Sequence, residues 1–175
     1  MSKIFYKDER LELTDDFIDV GYMAENIVAE DINGDIFEIK RSHGDDSMTL
    51  LVSLPQMLLD EVATLDKFLS AIKVPIHCYL ILAERRQEGQ EGLKKLQKLE
   101  AVFDVQEEFG GMYGTKIVTG SMAPDLCKSI FLISKEGAIF YIDMPLKLEE
   151  NFDLERLGIE LNKAYVIYNG VGCHG

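Results

Sequence analysis

The side chains with the most chemical potential in this chain are three thiols, three imidazoles and a lysine beside a cysteine, and their spacing restricts what they can do. Cys78, Cys127 and Cys173 lie far apart and form no Cys-x-x-Cys pair, so neither a zinc cage nor a local dithiol is written in the sequence. An odd count argues against a disulfide framework. His43, His77 and His174 have no metal-ligand spacing to one another or to the acids, so no metal is expected. Cys127 neighbours Lys128, and a nearby cation lowers a thiol pKa. Side chains alternate along a strand, however, so a Lys128 that faces a pocket turns Cys127 to the opposite face, where it reads as inert core. Cys78 sits mid-strand among Ile76, Leu80 and Leu82 and also reads as core. Cys173, in the glycine-flanked VGCHG end, has His174 beside it, which favours a thiolate or a shared soft metal; the plainer reading is an incidental cysteine in a mobile tail.

The segment from Thr49 to Leu69, TLLVSLPQMLLDEVATLDKFL, has the architecture that would position such a thiol: an almost wholly apolar strand, a proline, then an amphipathic helix. In an α/β protein, helix amides and dipole at such a junction lower the pKa of a reactive thiol or hold an anion. Here the junction carries Leu58, Leu59, Asp60, Glu61 and Val62, and no thiol. The helix stripe reads Leu58, Val62, Leu65, Leu69 and Ile72, in steps of four and three. Residues 76–83, IHCYLILA, form a second central strand, ERRQEGQEG a solvated charged loop, and residues 93–100, LKKLQKLE, a short helix. VFDV reads as a strand and EEFGGMYG as a helical turn. CKSIFLIS and AIFYIDMP form a hairpin across Lys135-Glu136-Gly137, and a closing helix buries Leu154, Leu157, Leu161 and Tyr165. Upstream, residues 4–7 and 11–13 are short strands, and Asn33-Gly34 turns a hairpin. SHGDDS is a polar loop with a solvated His43, and residues 169–175 are expected to be a flexible tail.

At 175 residues the chain is the size of one domain, 1–175. Its 18 Lys and Arg against 31 Asp and Glu give a net charge of −13, which repels phosphate backbones and anionic membranes, so no nucleic-acid or membrane partner is expected. No apolar run approaches the roughly 20 residues needed to span a bilayer, and the charged N-terminus has no apolar core behind it. A soluble cytoplasmic protein is the expectation. The order strand, helix, strand, helix, hairpin, helix predicts an α/β fold: a mixed sheet flanked by helices, its first two central strands parallel through a right-handed crossover. That order fits a thioredoxin-like core with an N-terminal β-hairpin extension.

Four segments carry a family likeness. GYMAENIVAEDINGDIFEI is similar to an early G-x-x-A-P-x-F segment followed by a hairpin, with Glu25 where proline is usual. LLVSLPQMLLDEVATLDKFL aligns with a peroxidatic strand, loop and helix, FGGMYGTKI with F-x-x-x-Y-G-V-x-I, and LCKSIFLISKEGAIFYIDMP with L-x-R-x-V-F-V-x-D-x-x-G-x-v-x-Y. Together they resemble the thiol peroxidases of the peroxiredoxin superfamily over nearly the whole chain. By that resemblance the motif P-x-x-x-T-x-x-C begins at Pro55, its threonine falls on Leu59 and its peroxidatic cysteine on Val62. A resolving cysteine has no counterpart between Arg85 and Leu93, and the arginine that orients peroxide maps to Lys128, which keeps the charge and loses the planar fork of donors.

The resemblance therefore implies a cofactor-free homodimer that has lost peroxide reduction and acts as a binding or scaffold protein, with a protein partner or a small anionic ligand. Two alternatives stand beside it. One is a thiol-dependent redox enzyme, an antioxidant or thiol-disulfide oxidoreductase, working through Cys173. The other is a small-molecule or anion binder at Lys128. A buried ammonium without a partner is costly, so a carboxylate from Asp60 or Glu61, or a bound anion, is expected to approach Lys128. Val62, in step with Leu58 and Leu65, should join the apolar stripe and leave a smaller, drier pocket.

Overall fold

The computed structural model describes residues 2–15 and 17–171, with side chains in the last helix described through Val166. Lys3–Tyr6 (β1) and Glu9–Glu12 (β2) form a separate antiparallel ribbon. Ile27–Asp31 (β3) and Ile36–Ile39 (β4) make the hairpin turned at Asn33-Gly34, where Gly34 adopts a positive φ of 91° that most residues resist. Met48–Ser53 (β5), Ile76–Leu82 (β6) and Leu99–Phe103 (β7) run parallel, and Ser129–Ile133 (β8) and Ile139–Asp143 (β9) close the sheet antiparallel. The seven strands lie in the order β4-β3-β7-β6-β5-β8-β9. A 3-10 segment, Gln56–Glu61, leads into Val62–Ser70 (α1), followed by Gln90–Lys94 (α2), Glu108–Met112 (α3) and Leu154–Val171 (α4). No helix among the described residues is long and apolar enough to cross a membrane.

Strand alternation sorts the core into two layers. From β5, Met48, Leu50 and Val52 point to the face covered by Leu65 and Leu69 of α1 and Leu157 and Leu161 of α4. Leu51, Ile81, Val102 and Phe131 point the other way, toward Phe109 of α3 and Tyr113 just beyond it. Both faces of the central strands are thus dry, and every residue of β5 is buried. A third cluster lies under the β1–β2 ribbon, where Ile4, Leu11 and Leu13 meet Ile117, Cys127 and Leu148.

Four sequence expectations are corrected. Residues 93–100 do not form one helix: α2 ends at Lys94 and the chain enters β7 at Leu99. The cause is distant in sequence. The carboxylate of Asp66, on α1, accepts the backbone N–H groups of Gln97, Lys98 and Leu99 at 2.8 to 2.9 Å, pulling them out of helical pairing. Leu58 does not head the α1 stripe, because its backbone (φ −108°, ψ 15°) breaks the helix and turns the side chain into the cluster around Cys127. The stripe begins at Val62. Arg85 is not a solvated loop charge: it bonds Glu30 at 2.7 Å and the carbonyls of Asp31 and Ile32, and stacks over Phe103, fastening the β3–β4 hairpin to the end of β6. His43, finally, is half-buried, with Nε2 2.7 Å from the Thr49 hydroxyl and its ring 4.1 Å from that of His77. Burial and the neighbouring His77 hold its pKa below the usual imidazole value.

Asp66 should be a point of failure. Burial works against its charge, but the three amides outweigh it and hold its pKa below the ordinary carboxylate value. A depressed folded pKa means that its contribution is present above the unfolded value and is lost as pH falls through the folded one. Asp66→Ala should therefore cost about 2 kcal/mol at pH 7 in urea denaturation, with the difference from wild type shrinking in acid.

Candidate functional site

The junction between β5 and α1 is held against the start of β8 by a small polar seam. Ser53, the last residue of β5, pairs in register with Ser129; their hydroxyls lie 2.6 Å apart, and Ser53 donates to the Cys127 carbonyl at 2.6 Å. One residue beyond Pro55, the Gln56 amide donates to the Asp125 carboxylate at 2.8 Å. These bonds set the 3-10 turn opposite residues 127–129. Lys128 has the same parity as Ile130 and Leu132, which face α1 and α4, whereas Cys127 packs in the opposite sense beneath the β1–β2 ribbon.

Lys128 is fully buried, and its ammonium is surrounded. Nζ lies 2.5 Å from Glu61 Oε1 and 2.5 Å from the Glu150 carbonyl, and 5.0 Å from the centre of the Phe152 ring. Asp143 lies in its field as well: burial raises the Asp143 pKa, and the charge of Lys128 works against that rise. Glu61 is the last residue of the 3-10 turn and is half-exposed, while Asp60, its neighbour, is exposed. Leu59 and Val62 pack on the α1 face of the core, and Pro55 is buried. The sequence motif thus delivers Pro55, Leu59, Glu61 and Val62 on one turn, with Lys128 against Glu61. Its chemistry is that of a satisfied ion pair: the ammonium has a carboxylate, a carbonyl and an aromatic face, and the position assigned by resemblance to the nucleophile is an aliphatic side chain in hydrophobic contact.

Glu150 and Phe152 could not be found from sequence. They are 22 and 24 residues from Lys128, in the loop between β9 and α4, and meet it because Asp143 and Asp153 shape that loop. Asp143 accepts the Asp153 amide at 3.0 Å, and Asp153 in turn accepts the Arg156 amide at 3.0 Å, capping the first turn of α4. The one legible signal is Asp153, an N-cap residue type just ahead of the closing helix.

Cys78 and Cys127 are free and buried, and desolvation pushes each thiol pKa up to about 12. Neither is ionised near neutrality. Cys173 and His174 lie outside the described residues; of the segment 169–175 expected to be a flexible tail, 169–171 continue α4 and 172–175 lie outside the described residues. Limited alkylation of the native protein should accordingly label Cys173 at least about tenfold faster than Cys78 or Cys127, read by peptide mapping. Preferential labelling of either strand cysteine would contradict this. Among the described residues no group of three or more His, Cys, Asp and Glu could hold a metal ion.

No protein-family model matches the sequence, and no curated protein matches it. Its shape is another matter. The chain superposes on a peroxiredoxin-like protein from Aquifex aeolicus with a TM-score of 0.82 at 13% identity, covering 94% of this chain and 98% of that one. A thiol peroxidase from Chromobacterium violaceum gives 0.79 at 16% identity, with 93% and 97% covered. The mitochondrial 2-Cys peroxiredoxin from Plasmodium falciparum gives 0.69 at 11% identity, with 86% and 96% covered. At such identities the shared property is the fold, which is thioredoxin-like and of the form these peroxiredoxins adopt.

Proposed function

We propose that this chain is a thiol peroxidase-like protein without peroxide-reducing activity, acting as a binding or scaffold protein. The observation that carries the reading is the Lys128–Glu61 pair. A cation in the place from which the family's arginine faces its thiolate is here fully buried and already bound by a carboxylate, and the residue at the thiolate position is Val62. Oxidation of a thiolate by peroxide needs an ionised sulfur and donors free to hold the leaving oxygen. This site offers neither. The same contacts weigh against an anion site at Lys128, since Glu61 and the Glu150 carbonyl already occupy it. The reading includes a homodimer, by the family's habit, and a cytoplasmic location.

A second reading keeps a specific observation in its favour. With the pKa of Cys78 and Cys127 raised to about 12, Cys173 is the one thiol left to serve a redox enzyme. The two are separated by peroxide consumption with a dithiol or thioredoxin as reductant, measured on wild type and Cys173→Ser. Background rates in both support the proposal. Turnover lost in Cys173→Ser supports the redox enzyme, and turnover that survives it overturns both.

A further inference from the structure

At the carboxyl ends of the parallel strands, a cavity of about 620 Å³ opens between the segments that follow β5, β6 and β7 and the 121–126 loop. In open α/β sheets this is where ligands bind, and the volume lies in the range of small-molecule sites. None of Leu59, Glu61, Val62 or Lys128 lines it. Its floor is apolar, from buried Leu54, Leu82 and Leu126, and Met57 and Met122 bring flexible thioethers to the wall.

The polar groups of the wall have one sign in surplus. Arg86 is matched by Glu84 at 2.8 Å and Lys116 by Glu107 at 2.7 Å, all four at the cavity. Asp104 and Asp125 have no such cation. Asp104, 3% exposed, accepts the Phe109 and Gly110 amides at 2.9 and 2.8 Å. Asp125 accepts the Gln56 and Leu126 amides, each at 2.8 Å. Two backbone bonds leave each carboxylate with further lone pairs for a donor. Burial raises the pKa of both; Arg86 only partly offsets this at Asp125, and at Asp104 the nearby Glu107 and Glu108 add to it.

We infer that this cavity binds a small organic cation, a primary ammonium on an apolar body, its nitrogen between Asp104 and Asp125 and its body against Met57, Met122 and Leu54. The cavity wall contains no aromatic ring. A quaternary ammonium, which needs π faces and has no N–H to donate, is therefore the poorer fit. The surrounding charge of −13 steers cations toward the molecule. This deepens the binding reading by naming its ligand, and it fails separately from it: the peroxide assay involves none of these residues.

The test titrates the full-length protein with phenethylamine, 2-phenylethanol and 3-phenylpropanoate, followed by isotope-edited NMR. The amine should saturate, shifting signals of Met57, Asp104, Met122 and Asp125, and should bind at least about tenfold tighter than the alcohol or the acid. Asp125→Asn should weaken the amine about tenfold and leave the alcohol unchanged. Asp104 also holds α3, so Arg86→Gln, which removes a half-exposed cation from the cavity wall near Asp125, is the second variant and should tighten the amine without touching that cap. Equal binding of amine and alcohol, tighter binding of the acid, shifts confined to other surfaces, or no binding at millimolar amine would overturn the inference.

Discussion

Glu61→Ala should destabilise the protein by about 3 kcal/mol, whereas Lys128→Met should cost less than about 1 kcal/mol. The asymmetry follows from burial. Lys128 is wholly enclosed and Glu61 is 30% exposed, so removing the acid strands an ammonium in the core, while removing the lysine leaves a carboxylate that water can reach. Methionine keeps most of the lysine stem's volume and its contact with Phe152. The double variant Glu61→Ala/Lys128→Met should regain most of the loss, because no unpaired charge remains. Urea unfolding of the four proteins gives the comparison. A Lys128→Met variant less stable than Glu61→Ala would show that the lysine has a role beyond this pair.

Restoring the missing sulfur should not restore the chemistry. In Val62→Cys the thiol sits at the first residue of α1, where the helix dipole favours a thiolate, but Glu61 beside it disfavours one and has already engaged Lys128. Leu59 supplies no hydroxyl and Lys128 no planar fork. Reaction of this variant with hydrogen peroxide should therefore be about 100-fold or more slower than that of a variant carrying Leu59→Thr, Glu61→Gln, Val62→Cys and Lys128→Arg together. Stopped-flow thiol oxidation measures both. Equal rates would mean that the sulfur alone was lacking.

The central strands were legible because burial on both faces leaves a continuous apolar run: TLLVSL and IHCYLILA are strands in their predicted, parallel places. The hairpin of CKSIFLIS and AIFYIDMP was legible from two apolar runs, only the first buried throughout, with Gly137 in the turn between them. What was hidden depended on one distant side chain. Asp66 converts the helix-like pattern LKKLQKLE into an extended approach to β7, and nothing local to residues 97–99 announces a carboxylate from α1. Leu58 has the spacing of a stripe residue, yet the ribbon of β1 and β2 offers it a nearer apolar surface beside Cys127. At the candidate site, the electrostatic need of Lys128 for an acid was readable from charge and dipole. The carbonyl and ring from Glu150 and Phe152 were not, since a contact 22 residues along the chain, past the β8–β9 hairpin and into the loop after it, has no periodic signature.

The most direct measurement is a single-turnover titration of the fully reduced wild-type protein with one equivalent of hydrogen peroxide, counting reactive thiols without denaturant over the first minute. If Val62 marks the end of peroxide chemistry in this fold, the thiol count stays constant on that timescale and the native protein is recovered unmodified. Loss of one thiol per chain within seconds would show a working peroxidatic sulfur and would contradict the account.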